Sequence, residues 1–165
     1  EGIGCNLTLL FSETQAIAAA NAQATLISPF VGRIYDWYVA KGEIPESAQS
    51  DPGVLSVKNI LNQYKSHGVS TIVMGASFRT ADQVLALAGC DRLTISPALL
   101  EELEKRQELL QPIPTVSPTG QPLRTLTRDE FLLAIAGDTM ANEKLADGIT
   151  RFIKDQETLE RLLSD

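Results

Sequence analysis

The sequence is poor in the residues that build metal centres and disulfide frameworks. It has one histidine, His67, and its two cysteines, Cys5 and Cys90, lie far apart and form no CxxC pair. A zinc site or a Ser–His pair built on His67 is therefore disfavoured, and no metal is expected. The cysteine content fits a reducing, cytoplasmic setting, although two thiols could form one bridge.

Basic charge and long apolar runs are also scarce. The net charge of −7 disfavours a nucleic-acid partner, which needs a basic face, although a local basic pocket can coexist with an acidic surface. No apolar run approaches the roughly 18 residues of a membrane span, and no charged-then-apolar leader opens the chain, so no membrane partner is expected. The sequence lacks an initiator methionine and opens on a strand-like run, which we interpret as a piece of a longer protein.

What the chain does contain is an alternation of strand and helix patterns. Four apolar segments each precede a helical segment, which predicts four βα units with a parallel sheet covered on both faces. The predicted strands lie at Leu7–Phe11, Thr25–Ile27, 69–77 and 91–96. A complete eightfold barrel needs about 250 residues. Residues 1–110 therefore predict an α/β fold that is half of a TIM (β/α)8 barrel.

Helix start and stop signals fit this alternation. Proline at the first helical position predicts a helix over 97–110, and Gly68 predicts the end of the helix before the third strand. Start signals occur as two capping boxes and one N-cap, at Ser12 with Gln15, Thr80 with Gln83, and Ser96.

The last third of the chain differs in composition. Residues 111–126 hold four prolines and a glycine, which predicts a connection without regular structure. Residues 127–165 predict C-terminal helices that pack on the barrel. Their apolar stripe consists of Leu145, Ile149, Phe152, Ile153 and Leu159.

The first strand carries polar residues on one face. Alternation places Asn6, Thr8 and Leu10 toward the barrel interior and directs the other face toward helices, that face being Cys5, Leu7, Leu9 and Phe11. A buried amide and a buried hydroxyl need hydrogen-bond partners. A substrate rich in hydroxyls would supply them, and neighbouring polar side chains are the alternative.

Serine and arginine recur where the second and third strands end. Ser28 and Arg33 follow one strand, and Ser77 and Arg79 follow the next. Loops at the carboxyl ends of parallel strands form active sites in barrels, and two converging guanidinium groups can bind a phosphate through forked hydrogen bonds. The alternative for each arginine is a surface position or a salt bridge.

Several segments together resemble one family. The segments GCNLTLLFS, ISPFVGRIYDWY, DPGV, VMGASFR and GCDRLTISPALL, followed by the tail from TRDEFLLAIAGD to the end, are similar in order and spacing to the C-terminal half of transaldolase. The resemblance covers nearly the whole chain and is weakest over 42–50 and 105–124.

The resemblance implies an eightfold-barrel enzyme that transfers a dihydroxyacetone unit through a lysine Schiff base, without metal or cofactor. Implied partners are fructose 6-phosphate, sedoheptulose 7-phosphate, erythrose 4-phosphate and glyceraldehyde 3-phosphate. Asn6 and Ser28 would contact the dihydroxyacetone part, and Thr8 would hold the catalytic water. The phosphate would be held by Arg33, Ser77 and Arg79.

This chain departs from the family pattern in its catalytic groups. The resemblance places the Schiff-base lysine and the acid/base aspartate and glutamate before Glu1. None of the six lysines falls in an apolar strand, so we expect this chain alone to be inactive. A half barrel leaves strand edges unpaired, so we expect self-association or pairing with a missing N-terminal half. A non-catalytic sugar-phosphate-binding or scaffold module and a general interaction domain stay open as alternatives.

Overall fold

A computed structural model describes residues 2–107 and 109–164, and its centre is a parallel four-stranded sheet in the order β1-β2-β3-β4. The strands are β1 Asn6–Leu10, β2 Leu26–Pro29, β3 Ile72–Gly75 and β4 Arg92–Leu93. The helices are α1 Glu13–Asn21, α2 Val31–Ala40, α3 Pro52–Ser66, α4 Ala81–Ala86, α5 Pro97–Glu104, α6 Arg128–Gly137 and α7 Thr139–Ser164. The predicted alternation of four strands with helices is confirmed.

The predicted helix starts are confirmed, with one difference at α1. Ser12 caps α1 by accepting from the Gln15 N–H, and Thr80 and Gln83 form a complete capping box on α4. The Gln15 amide oxygen, however, accepts from the Phe11 N–H at 2.9 Å and from the Ser12 hydroxyl at 3.4 Å, and not from the Ser12 backbone N–H as a capping box requires. The Gln15 amide nitrogen donates to the Leu9 carbonyl at 3.1 Å, which draws the side chain back onto the end of β1.

Three predicted elements are shorter in the structure, and one of them is the third strand, predicted over 69–77 and observed as Ile72–Gly75. The helix predicted over 97–110 ends at Glu104, because the next two N–H groups make tight bonds to carbonyls three residues back. Glu108, inside that prediction, lies outside the described residues. The strand predicted over 91–96 keeps only Arg92–Leu93 in the ladder, although Thr94 N–H still donates to the Gly75 carbonyl at 2.9 Å.

Two apolar clusters of the described residues hold the fold together. The larger lies between the sheet and helices α1, α3 and α4, and its fully buried members include Ile27, Val57, Ile60 and Val73. The smaller joins the end of β1 to α2 and α7, through Leu9, Phe11, Ile34, Met140 and Ala141. Helix α7 approaches β1 closely because Gly148 has no side chain; a Cβ there would lie 2.6 Å from a Leu9 methyl carbon.

The alternation predicted for β1 is wrong in its second half. Leu9 has φ +53°, and the register to β2 shifts between Leu7 and Leu10. This irregularity turns Leu10, expected beside Asn6 and Thr8, into the larger cluster, where it is buried. Leu7, expected against helices, is 40% exposed. A bulge therefore replaces the simple two-residue period.

The proline-rich segment 111–126 forms no helix or strand, as its composition predicts. It is nevertheless tied to the ends of three helices. Ile113 N–H donates to the Ala88 carbonyl at 2.6 Å, Thr119 N–H donates to the Ser66 carbonyl at 2.7 Å, and Asn21 bonds Arg124 and Leu126. The segment thus leads the chain from α5 across the ends of α4, α3 and α1 to α6.

The apolar stripe predicted on the C-terminal helix exists, but most of it faces solvent. Leu145 is half-buried against the smaller cluster, whereas Phe152 is 44% and Ile153 is 54% exposed. Among the described residues, no helix is both long and apolar enough to cross a bilayer.

Candidate functional site

Hydrogen bonds beyond the strands bring the carboxyl ends of β1, β2 and β3 together. Phe30 N–H donates to the Leu10 carbonyl at 3.0 Å, and Ala76 N–H donates to the Pro29 carbonyl at 3.1 Å. Phe30 and Ala76 also form an isolated parallel bridge. The loops that follow the three strands therefore start side by side, as the barrel geometry requires.

Asn6 and Ser28 lie in contact across β1 and β2. The Ser28 hydroxyl donates to the Asn6 amide oxygen at 2.8 Å, and Ser28 is only 4% exposed. For Asn6 the structure thus shows the alternative in which a polar neighbour supplies the bond. The Asn6 amide nitrogen donates to no acceptor within residues 2–107 and 109–164, so its two hydrogens are available to a ligand.

The expectation that Asn6 and Thr8 are buried is wrong. Both are exposed, and they lie on β1, which is an edge strand of the described sheet. The Thr8 hydroxyl makes no hydrogen bond to the part of the chain that the structure describes. Its role therefore stays a prediction from the family pattern.

The turn after β3 is fixed by helix α2. Ser77 adopts φ +64°, which is uncommon for a residue with a side chain. Its carbonyl accepts from the Gly32 N–H at 2.7 Å, and the Ala76 carbonyl accepts from the Val31 N–H at 2.9 Å. A Cβ on Gly32 would lie 2.0 Å from the Ser77 carbonyl oxygen, so only glycine permits this approach. Sequence reasoning missed Gly32, because the need for a glycine there shows only in its close contact with the Ser77 carbonyl.

Arg79 lies over the first turns of α2. Its guanidinium donates from Nη2 to Asp36 Oδ2 at 2.7 Å and from Nε to Asp36 Oδ1 at 3.1 Å, and Nη1 reaches the Ser77 carbonyl at 3.2 Å. Within the described residues the second Nη2 hydrogen meets no acceptor. The salt-bridge alternative thus holds for Arg79, and it orients the guanidinium while leaving one donor for a ligand.

Sequence reasoning also missed Asp36. Its signal was present, because residues three apart lie on one face of a helix, which puts Asp36 beside Arg33. What could not be foreseen is that the carboxylate pairs with an arginine 43 positions later in the chain instead of its helical neighbour.

Arg33 has a different environment. Its guanidinium carbon stacks 4.8 Å from the centre of the Phe30 ring. Among residues 2–107 and 109–164 it has no acidic partner and no hydrogen bond. It lies in the first turn of α2, where the helix dipole disfavours a cation, and the N-cap Phe30 supplies no side-chain acceptor. An anion bound here would give the Arg33 guanidinium a charged partner, and its negative charge would be favoured by the dipole at the start of α2.

The six lysines do not provide a nucleophile of the family's kind. None lies on a strand and none is buried. Lys65 pairs with Asp91 at 2.6 Å, Lys58 donates to Gln49, and Lys41 stacks on Trp37. In the described part of the chain, no three histidine, cysteine, aspartate or glutamate residues are grouped to hold a metal ion.

A further concave surface of the described chain is lined by neither Arg33 nor Arg79. It is an apolar groove of about 490 Å³ between α4 and α5, where Arg106 already pairs with Asp82 and Glu102. Its lining is otherwise apolar, from Val84, Leu85, Ala88, Leu93 and Leu103. Such a lining does not suit a sugar phosphate, so the polar strand ends remain the candidate site.

Four consecutive βα units in one parallel sheet, with polar groups at the carboxyl strand ends, define part of a (β/α)8-barrel enzyme fold. The sequence model of the transaldolase/fructose-6-phosphate aldolase family matches residues 1–163, and the chain belongs to that family.

Curated relatives named transaldolase agree with this assignment. The Agrobacterium fabrum protein is 53% identical over 99% of this chain and 51% of its own length. The Xanthomonas oryzae protein is 50% identical over 100% of this chain and 52% of its own length. The Cellvibrio japonicus protein is 53% identical over 99% of this chain and 52% of its own length. The chain thus spans about half the length of the curated relatives it matches.

Proposed function

We propose that this chain is the sugar-phosphate-binding half of a transaldolase of the pentose phosphate pathway. The enzyme would move a dihydroxyacetone unit from fructose 6-phosphate or sedoheptulose 7-phosphate to erythrose 4-phosphate or glyceraldehyde 3-phosphate, through a lysine Schiff base. Asn6 and Ser28 would contact the dihydroxyacetone part, and Thr8 would hold the catalytic water. Arg33, Ser77 and Arg79 would bind the phosphate.

The observation that carries this proposal is the environment of the two arginines. Arg33 presents a guanidinium without an acidic partner in the described chain, and Arg79 lies over the same end of α2 with a free Nη2 hydrogen. A phosphate placed there would accept charge-assisted bonds from both. The adjacent Asn6–Ser28 pair would meet the hydroxyl groups of the same sugar.

The test of the phosphate site is a binding measurement with fructose 6-phosphate. We expect Arg33→Ala to weaken binding about tenfold or more, because it removes a charged hydrogen-bond donor. Arg92→Ala is the matched control, since Arg92 is exposed and its side chain bonds only the neighbouring Asp91 carbonyl within the described residues. Equal affinity of the Arg33 variant and the unaltered chain would contradict the proposal.

We also propose that the 165-residue chain is inactive by itself. No lysine lies on a strand of the sheet, whereas Schiff-base chemistry needs an amine held at the substrate. Borohydride reduction with fructose 6-phosphate should leave the mass of the chain unchanged. A reduced covalent adduct on one of the six lysines would refute this part. A sugar-phosphate-binding module without catalysis is the second candidate, favoured by the same lack of a strand lysine.

We propose that the open edge of β1 and the exposed stripe of α7 bind a second copy of the chain or the other half of the barrel. Leu7 and Leu9 of β1 adjoin this surface, and a groove of about 510 Å³ lies between Leu9 and Ile149, Phe152 and Ile153. Light scattering should detect self-association of the isolated chain; a stable monomer would contradict this proposal.

The proposed pathway places the protein in the cytoplasm, which cell fractionation can check.

A further inference from the structure

Asp51 is a buried carboxylate whose oxygens have different tasks. It is 2% exposed. Oδ1 caps α3 by accepting from the Gly53 N–H at 2.7 Å and the Val54 N–H at 3.2 Å. Oδ2 accepts from the Gln83 side-chain amide at 2.7 Å. Within residues 2–107 and 109–164 no cation pairs with it, so these hydrogen bonds alone compensate its burial.

Gln83 connects this carboxylate to the loop that carries the phosphate-site arginine. It is also 2% exposed. Its Nε2 donates to Asp51, and its Oε1 accepts from the Arg79 N–H at 2.7 Å and, more weakly, from the Thr80 N–H at 3.4 Å. A capping box by itself needs only the bond to the N-cap residue, here Thr80. The shorter bond goes to Arg79 instead.

The direction of the Gln83 amide follows from the chemistry of Asp51. An ionised carboxylate only accepts hydrogen bonds, and a backbone N–H only donates. The amide nitrogen must therefore face Asp51 and the amide oxygen must face Arg79. A reversed amide would set two acceptors against each other at 2.7 Å and two donors against each other at the loop.

The loop segment held in this way is strained at its other end. Ser77 has φ +64° and is fixed through its carbonyl by Gly32, while its hydroxyl receives the Arg79 side chain at 3.3 Å. An uncommon backbone conformation persists only when its surroundings hold it from several sides. Gly32 fixes the segment at Ser77, and Gln83 fixes it at Arg79.

From this geometry we propose that Asp51 and Gln83 are positioning residues for Arg79. The Asp51 carboxylate sets the direction of the Gln83 amide, and the amide oxygen holds the Arg79 backbone at the sugar-phosphate site. We call these two hydrogen bonds, from Gln83 to Asp51 and from the Arg79 N–H to Gln83, the relay. Its importance for binding rests on the proposed function of Arg79, whereas the relay itself is a property of the fold.

Two substitutions test the direction of the relay. Asp51→Asn keeps the shape and the helix cap but turns a donor toward Gln83, which reverses the amide and leaves the Arg79 N–H without an acceptor. Adding Gln83→Glu restores the direction, because the amide introduced at position 51 then donates to a carboxylate whose other oxygen accepts from Arg79. The double variant D51N/Q83E should therefore recover what D51N alone loses.

The first measurement is hydrogen exchange of the Arg79 backbone amide in the 165-residue chain. We expect D51N to speed exchange about tenfold and D51N/Q83E to return it to within about twofold of the unaltered chain. The Phe11 amide is the internal control, since the equivalent bond to Gln15 does not involve a carboxylate. Equal changes at Phe11 and Arg79, or no recovery in the double variant, would overturn the relay.

The second measurement is the affinity for fructose 6-phosphate. We expect D51N to weaken binding about threefold to tenfold and the double variant to restore it. Unchanged affinity of D51N, with faster Arg79 exchange, would overturn the positioning role.

If the unaltered chain binds no fructose 6-phosphate, the proposed function fails, and the exchange data still decide whether the relay holds Arg79. If D51N does not fold, the comparison of D51N/Q83E with Q83E alone replaces the comparison of D51N/Q83E with D51N.

Discussion

The larger apolar cluster and helix α7 show opposite relations to solvent. The cluster between the sheet and helices α1, α3 and α4 is closed, with side chains such as Ile60 and Val73 fully buried. Helix α7 also carries large apolar residues, yet beyond Gly148 they are about half-exposed or more. The first region completes its own packing within this chain, whereas the second leaves an apolar surface uncovered.

The difference teaches where the fold is self-sufficient. Buried apolar area stabilises a domain by roughly 25 cal/mol per Å², so the closed cluster supplies most of the stability that this chain can have. The α7 stripe adds little until something covers it. Substitutions should therefore separate the two regions by their effect on the free energy of unfolding.

The largest effect is expected where helix α3 meets the start of α2. A Cβ on Gly53 would lie 2.1 Å from the Val31 carbonyl oxygen, so Gly53→Ala forces the two helices apart and should cost about 2–4 kcal/mol. Urea unfolding measures this. Gly137→Ala is the control, since nothing lies within 4 Å of its Cβ, and it should change stability by less than about 1 kcal/mol. Similar losses in both variants would show that the contact is unimportant.

A smaller effect is expected at the polar centre of the same cluster. The Tyr64 hydroxyl donates to the Ala16 carbonyl at 2.5 Å, and Tyr64→Phe should cost about 1 kcal/mol. Tyr35→Phe is the control, because the Tyr35 hydroxyl makes no hydrogen bond within the described residues; it should stay within about 0.5 kcal/mol.

The same tyrosine gives a pH dependence. Burial raises the pKa of Tyr64 above its ordinary value of 10.0. The folded chain therefore retains this proton after the unfolded chain has lost it, so the contribution of Tyr64 is complete below pH 10 and declines as the pH rises further. The stability difference between the chain and Tyr64→Phe should shrink above pH 10; a constant difference would contradict the assignment.

Polar substitution on α7 should barely change folding. Ile153→Ser removes a side chain that is 54% exposed, so we expect less than about 0.5 kcal/mol in unfolding but weaker self-association by light scattering. Lys154→Gln, at the neighbouring exposed position, should change neither quantity. A large loss of stability in Ile153→Ser would mean that the part of α7 beyond Gly148 also contributes to the core.

The smallest expected change involves no loss of stability. Burial raises the pKa of the Cys90 thiol, which donates to the Val73 carbonyl at 3.3 Å, whereas Cys5 is exposed. Alkylation by iodoacetamide near pH 7.5, followed by mass spectrometry, should label Cys5 before Cys90. Equal rates would indicate that the region around Cys90 opens readily.

Much of the fold was predictable because local signals agree with the tertiary contacts. Ser12, Thr80 and Ser96 cap the helices that follow them, and the apolar segments before them form parallel strands. The site was predictable in part: Asn6 and Ser28 do meet. The bulge at Leu9 was not, because a two-residue period carries no information about a single backbone residue with positive φ.

The sequence by itself determined the strand–helix alternation, the helix starts and the family resemblance, since these depend on periodicity and on residues close together in the chain. Only the tertiary structure decided that Arg79 pairs with Asp36, that Gly32 lies against the strained turn at Ser77, and that Asp51 is linked to Arg79 through Gln83. The contacts of Asp36 with Arg79, Gly32 with Ser77 and Asp51 with Gln83 join residues between 32 and 45 positions apart, and no local pattern specifies which distant donor an acceptor will meet.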